Sequence, residues 1–489
     1  MSGRFNHKAG RASRLPSERV SASRQKETPT ASARAGKTPA LLLTFYADDF
    51  TGATDALEQL TSAGIRTALF IQPPTLAQLK KFPGLQAIGV AGKTRSLAPD
   101  AMERELKPAL LALKKLGARH VHYKVCSTFD SSPAIGSIGR VMNMAVKIFP
   151  APFIPILAAA PALGRYTVFG QHFARYGIGS NGAIHRLDRH PSIGKHPITP
   201  MTEADLRVHL AQQTKKKIAL LDILQIGLPE NEARAVLQKI LVEKPDAVLF
   251  DALSAEHLHC IGGLLENFAR TRRPLFSIGS SGIETALASQ FRSSRRESAH
   301  SNFPGSLSGL TSAATNILIG SGSCSPVTGG QIAWALKNGF AEVPLAASAL
   351  AGKNSETEIK RATEAAAKFL QVGRSVIVHT TKSGSDKQLA AKLKSRTSQI
   401  LGTALGRVLQ GALAKSKVRR VCIAGGDTSS YAARAMGIQA LEMVAPLTPG
   451  APLCRAFAPG LPADGCEIIF KGGQVGAENY FQTVLKGNS

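Results

Sequence analysis

An apolar run from Leu41 to Tyr46 stops abruptly at Ala47, Asp48, Asp49, Phe50, Thr51 and Gly52, and Ala53, Ala56, Leu57 and Leu60 then recur at helical spacing. This predicts a strand feeding a helix through a turn that holds two adjacent carboxylates, a hydroxyl and a glycine. The alternation continues with strand Thr67–Ile71, helix Leu76–Lys81, strand Gln86–Val90, helix Asp100–Leu116 and strand His120–Lys124. After strand Phe153–Leu157 comes an irregular stretch to Ala204. Then follow helix Glu203–Gln213, strand Ile218–Asp222, helix Glu230–Lys239, strand Ala247–Asp251, helix Ala255–Arg270 and strand Leu275–Ile278. Strands and helices alternating at this pitch predict an α/β fold, a doubly wound parallel sheet.

From Gln290 to Thr315 the composition shifts to Ser, Arg, Gly and Asn, which reads as a linker. A second α/β unit opens with strand Asn316–Gly320 and a helix through Leu336. Strand Ser375–His379, a long helix Gln388–Lys415, strand Arg420–Ala424, helix Ser430–Met436 and strand Glu467–Phe470 follow. The expected layout is a basic tail over residues 1–38, a first domain over 40–289, a linker over 290–315 and a second domain over 316–485, with a cleft between the domains.

A length of 489 residues suits two domains, and one tryptophan, Trp334, with 44% apolar residues suits an α/β protein. The longest apolar stretch, Ile148 to Leu163, carries four prolines and cannot form a spanning helix. Cys126, Cys260, Cys324, Cys422, Cys454 and Cys466 are scattered with no CxxC pair, as expected of a reduced, cytoplasmic protein without structural zinc. The net charge of +27 raises a nucleic-acid reading. Residues 1–38 contribute nine Lys/Arg against two Glu in a segment without apolar periodicity, and the rest of the excess is dispersed. No basic groove interleaved with aromatics appears, so neither nucleic acid nor membrane is expected as a partner. Anionic small substrates fit a dispersed positive charge. Self-association into a homodimer is left open.

Parallel strands gather their terminal turns at one sheet edge, where ligands bind. In the first domain this brings together Asp48, Asp49, Thr51, Lys93, Arg95, Lys124, Ser127, Thr128 and Asp130, a set suited to a small polyol bearing a carboxylate. Asp49 or Thr51 alone could be a helix cap. The irregular stretch carries His185, His190 and His196, whose spacing across Pro and Gly does not match a metal-ligand set but fits a substrate-contacting loop. In the second domain three strands end in Gly-rich, hydroxyl-rich turns: Gly322–Thr328, Gly425–Ser429 and Lys471–Gly476. Glycine lets backbone N–H groups approach an oxyanion, so three such turns point to a polyphosphate. GIGSNG at 177–182 and GVAGKT at 89–94 imitate nucleotide motifs but lack the strand–helix context.

The segments ADDFTGATD (47–55), YKVCSTFDS (123–131), HPITPM (196–201), GSCSPVT (322–328), AGGDTS (424–429) and KGGQVG (471–476) occur in this order. With them the chain resembles the four-carbon acid sugar kinases, over about residues 41–481. The resemblance implies ATP-dependent phosphorylation of the terminal (4-) hydroxyl of a four-carbon sugar acid, 3-oxo-tetronate, threonate or erythronate, with ATP and Mg²⁺; the His and Cys spacings offer no metal site of the chain's own. It implies a sugar-acid pocket lined by Asp48, Asp49, Arg95, Lys124 and Ser127, to which the reading of the turns and the histidine loop adds Thr51, Thr128, Asp130 and His196 as substrate contacts. It implies a nucleotide site around Ser325, Gly425, Gly426, Asp427 and Gly473, to which the Gly-rich turns add Ser323, Thr428, Lys471, Gly472 and Gln474. Arg95 and Lys124 are expected on the substrate carboxylate. Asp49, ahead of Asp48, is expected to take the hydroxyl proton, and Asp427 to hold Mg²⁺ or act as base. The rival reading is a nucleotide-regulated sugar-acid binder without catalysis.

Overall fold

The computed structural model describes residues 41–176, 182–194, 199–297, 314–380 and 397–487. Eight strands of the first half form an all-parallel array in the order 67–70, 87–91, 43–47, 120–124, 275–279, 154–157, 247–250 and 218–221. All but His120–Lys124, which buries two histidines and a lysine, are largely apolar, as strands covered on both faces require. The second half adds parallel strands 341–344, 376–379, 318–321, 420–424 and 467–471, then the antiparallel pair Ala451–Phe457 and Ala440–Thr448.

The two halves share one sheet. Ala440 and Leu441 pair antiparallel with Phe70 and Leu69, which makes fifteen continuous strands. Helix Phe50–Ser62 lies at this seam, with the Phe50 ring tilted against that of Phe470, centroids 4.3 Å apart, and Glu58 accepting from the Gly450 N–H at 2.7 Å. Arg434 of helix Gly426–Ala435 donates through Nη2 to the carbonyls of Ile71 and Ala91, both at 3.1 Å. Arg434→Met leaves two acceptors unsatisfied and is expected to cost about 2–4 kcal/mol, read as a lowered urea midpoint.

Most expected strands and helices are present, with ends moved by a few residues; the tail 1–38 and residues 388–396 of the helix expected from Gln388 lie outside the described residues, and that helix is described over Thr397–Ala414. Helix Gly282–Glu297 runs into the segment expected as linker. The helix expected from Ser430 starts four residues earlier, at Gly426, so Asp427 and Thr428 belong to its first turn. The stretch read as irregular holds a three-stranded antiparallel sheet, Arg165–Val168, Gln171–Arg175 and Ile184–Arg186. Helices Ile138–Ile148 and Ser355–Gln371 were not anticipated. All six cysteines are free, and among the described residues no helix is long and apolar enough to cross a membrane.

Candidate active site

Strand Leu43–Ala47 sits between Ala87–Ala91 and His120–Lys124, and the chain winds to one side of it and then to the other. That is a topological switch point, and the turns leaving these strands open into one crevice. Asp49 caps helix Phe50–Ser62, its Oδ1 accepting from the Gly52 N–H at 2.8 Å. Its Oδ2 accepts from Arg95 Nη2 at 2.6 Å. The capping role is therefore real, but it occupies only one of the two carboxylates.

Asp48 is 3% exposed, and its Oδ1 has no hydrogen-bond partner among the described residues. Burial pushes its carboxyl up to about 8, opposed by Arg95 and reinforced by Asp49. Burial therefore favours the protonated form of Asp48. Thr51 Oγ1 is likewise buried without a partner.

Lys124 does not reach into open space. It is 1% exposed, donates to the Val125 carbonyl at 3.1 Å and lies 3.3 Å from Asp55. Burial works against its charge, but Asp55 and the carboxylates around it prevail and raise its pKa. Both cations expected on a substrate carboxylate, Arg95 and Lys124, are thus engaged by carboxylates of the chain itself. Behind Lys124, Glu284 is fully buried, 3.6 Å from His122 Nε2, with neither oxygen hydrogen-bonded among the described residues. Burial pushes Glu284 up to about 8 from an ordinary 4.5, and pushes His122 down to about 3. The folded chain thus holds a Glu284 proton that the unfolded chain has already lost. That contribution to stability is complete below about 4.5 and disappears as pH rises through about 8. Glu284→Gln has no such proton to lose, so its melting temperature relative to the parent should climb between pH 5 and 8.5.

The turn after Lys124 is strained: Phe129 is buried and takes φ +59°, a left-handed conformation costly for an aromatic residue. Ser127 and Thr128 are nearly buried. The Ser127 carbonyl accepts from His172 Nε2 at 2.8 Å, and Thr128 Oγ1 is 2.9 Å from Cys126 Sγ. Asp130 is partly exposed, within electrostatic reach of Asp48. His196 lies outside the described residues, as does the side chain of Asp427. Lys93 pairs with Glu105 at 3.5 Å.

The three Gly-rich turns leave the adjacent strands 318–321, 420–424 and 467–471. A Cβ on Gly473 would lie 2.9 Å from Ser325 Cβ and 3.0 Å from Ser323 Oγ, so this cradle exists only because the residue is glycine. Gly425 takes φ +125° and caps the helix carrying Asp427 and Thr428. Ser325 Oγ is buried without a partner among the described residues, and Ser323 Oγ accepts from the Ser325 N–H at 3.2 Å. Thr428 Oγ1 reaches the Gly322 carbonyl at 3.4 Å, and Gln474 is exposed. A helix N-terminus, tight glycines and an unpaired hydroxyl fit a polyphosphate. Lys471 is buried and braces this turn from below, donating to Thr328 Oγ1 and to the Gly472 carbonyl, both at 3.0 Å. Burial lowers its pKa to about 8. Gln331, which the sequence reading did not single out, holds the carbonyls of Val475, Gly476 and Ala477.

The two sets of turns touch. A Cβ on Gly426 would lie 3.0 Å from Arg95 Nη2 and 3.4 Å from Asp49 Oδ2, and one on Gly472 would lie 3.3 Å from Thr51 Cγ2. Among the described residues no group of three His, Cys, Asp or Glu side chains gathers to hold a metal.

A sugar-binding N-terminal domain matches residues 43–287 and a nucleotide-binding C-terminal domain matches 318–481. The chain belongs to the four-carbon acid sugar kinase family. It is 39% identical over 470 residues to a 3-oxo-isoapionate kinase of Paraburkholderia graminis, covering 94% of this chain and 97% of that one. It is 30% identical to a 3-oxo-tetronate kinase of Cupriavidus necator, covering 91% and 96%. A crystal structure from Salmonella typhimurium LT2 superposes with a TM-score of 0.71 at 25% identity, over 91% of this chain and 99% of that one. The chain is an ATP-using sugar-acid kinase, and the reading as a non-catalytic binder falls away.

Proposed function

We propose that the protein phosphorylates the terminal hydroxyl of a small 3-oxo sugar acid, with a branched acid of the 3-oxo-isoapionate kind preferred over unbranched 3-oxo-tetronate. The observation that carries the transfer reading is the abutment of Asp49, Thr51 and Arg95 on Gly426 and Gly472. Phosphoryl transfer asks for little covalent chemistry from a protein, only alignment and neutralisation of charge. Bound MgATP supplies the phosphoryl group. Ser323, Ser325, Gly425, Gly426, Thr428, Gly472 and Gly473 would hold its phosphates, Lys471 would fix the shape of their turn, and Asp427 would face Mg²⁺.

Asp49 stands at the phosphate end of the acid pocket and is the carboxylate we assign to the hydroxyl proton. Arg95 beside it counters charge where the two sets of turns meet. Asp48, pushed toward its protonated form by burial, is suited to donate to a substrate oxygen. The substrate preference rests on the higher identity to the isoapionate kinase, 39% against 30%. A cytoplasmic location accords with this metabolic role. Comparing kcat/KM for the two acids in a coupled ADP-release assay tests the preference. A higher value for 3-oxo-tetronate would overturn it.

A further inference from the structure

A sugar acid brings a carboxylate that needs a cation, yet Arg95 and Lys124 are engaged by Asp49 and Asp55. Another arginine near the crevice has the edge that a carboxylate requires. Arg165 opens the first strand of the three-stranded sheet and is 5% exposed. Its Nη1 is held by three carbonyls, those of Leu163 at 3.0 Å, Gly164 at 3.2 Å and Arg175 at 3.0 Å. The Nε–Nη2 edge, which meets carboxylates side-on, has no partner among the described residues, and Nε is fully buried. A guanidinium fixed on one side and bare on the other is a preorganised fork.

The sheet brings that fork to the turn that follows Lys124. Arg165 and Thr167 share its inward face, and Thr167 Oγ1 contacts His172 Nδ1 at 2.9 Å. The other nitrogen of His172 donates to the Ser127 carbonyl, in the turn that also holds Cys126 and Asp130. Both of these residues act electrostatically on Arg165, but neither pairs with it. Beside it, His190 accepts on Nδ1 from the Ser192 and Ile193 N–H groups, each at 3.3 Å. Nε2 is then the protonated nitrogen of His190. It too is buried with no hydrogen-bond partner among the described residues.

The geometry points to Arg165, assisted by His190, as the site that takes the carboxylate of the sugar acid and so selects acids over neutral ketoses. This rests on the kinase reading above. The test measures ADP release from ATP with 3-oxo-tetronate and with erythrulose, a four-carbon ketose lacking the carboxylate. Arg165→Met should raise KM for the acid about 30- to 1000-fold, the usual cost of truncating a buried charge partner. KM for ATP should stay within about twofold, and the preference for acid over erythrulose should collapse. Arg165→Lys, which keeps charge but loses the fork, should fall between. An unchanged acid KM in a variant still stabilised by ATP would overturn the assignment, as would equal losses on both substrates. If Arg165→Met does not fold, Arg165→Lys decides by the same ratio. If the parent enzyme turns over no acid, the kinase reading fails instead, and calorimetric binding of 3-oxo-tetronate to parent and variants still tests the site.

Discussion

Asp49→Asn should lower kcat by about 10²- to 10⁴-fold, the range expected when a general base is lost. KM for ATP should change little. Asparagine is a good helix cap, so the Gly52 N–H keeps an acceptor and helix Phe50–Ser62 keeps its start. What disappears is the negative charge opposite Arg95 and the ability to take a proton. Asp48→Asn is the matched control. Burial pushes Asp48 toward its protonated form, and an amide imitates a protonated carboxyl in size and hydrogen bonding. The control should therefore lose less than about tenfold, well short of the loss of a base. Steady-state kinetics on the two variants checks the pair, and a larger loss in Asp48→Asn would reverse the roles.

The second large effect is expected at Gly473. Valine there would drive its side chain into Ser325 and Ser323 from a Cβ only 2.9 Å away. The backbone N–H groups of the turn would then be screened from an oxyanion. We expect kcat/KM for ATP to fall by at least about 100-fold, comparable with losing an oxyanion donor. Calorimetric affinity for the sugar acid should stay within a few fold, because the carboxylate turns we assign to it are built on other strands. Loss of both affinities together would mean that the turn supports the whole seam rather than the nucleotide alone.

Much of this arrangement was legible in the sequence, for identifiable reasons. The apolar run Leu41–Tyr46 could only be a strand, and the polar break at Asp48 could only be its end, so the opening turn was located from pattern alone. Its two aspartates divide the work: one caps and pairs, and the other is buried and pushed toward its protonated form. That division depends on Arg95 and on burial, which arrive from distant parts of the chain. The Gly-rich turns were visible by composition. The helix start at Gly426 was not, because Gly-Gly-Asp-Thr looks like loop unless Gly425 is known to adopt φ +125°. The pair Ala440–Thr448 and Ala451–Phe457 went unread because Pro446, Pro449 and Pro452 interrupt it. That pair joins the halves into one sheet, and with it missing the seam could not be anticipated. Arg165 was hidden for another reason: its strand is four residues long and its inward side chain is charged, the opposite of what an alternating pattern signals.

The central claim is that the carboxylates at the end of the first strand and the glycine turns of the second half serve one transfer. The most direct measurement incubates the protein with MgATP and a 3-oxo sugar acid, following ADP release and the position of new phosphate by ³¹P–¹H correlation. One ADP per acid consumed is expected, with a monoester on the terminal hydroxyl and the loss of both signals in Asp49→Asn. ADP release without a phosphorylated acid, or a phosphate on another oxygen, would contradict it.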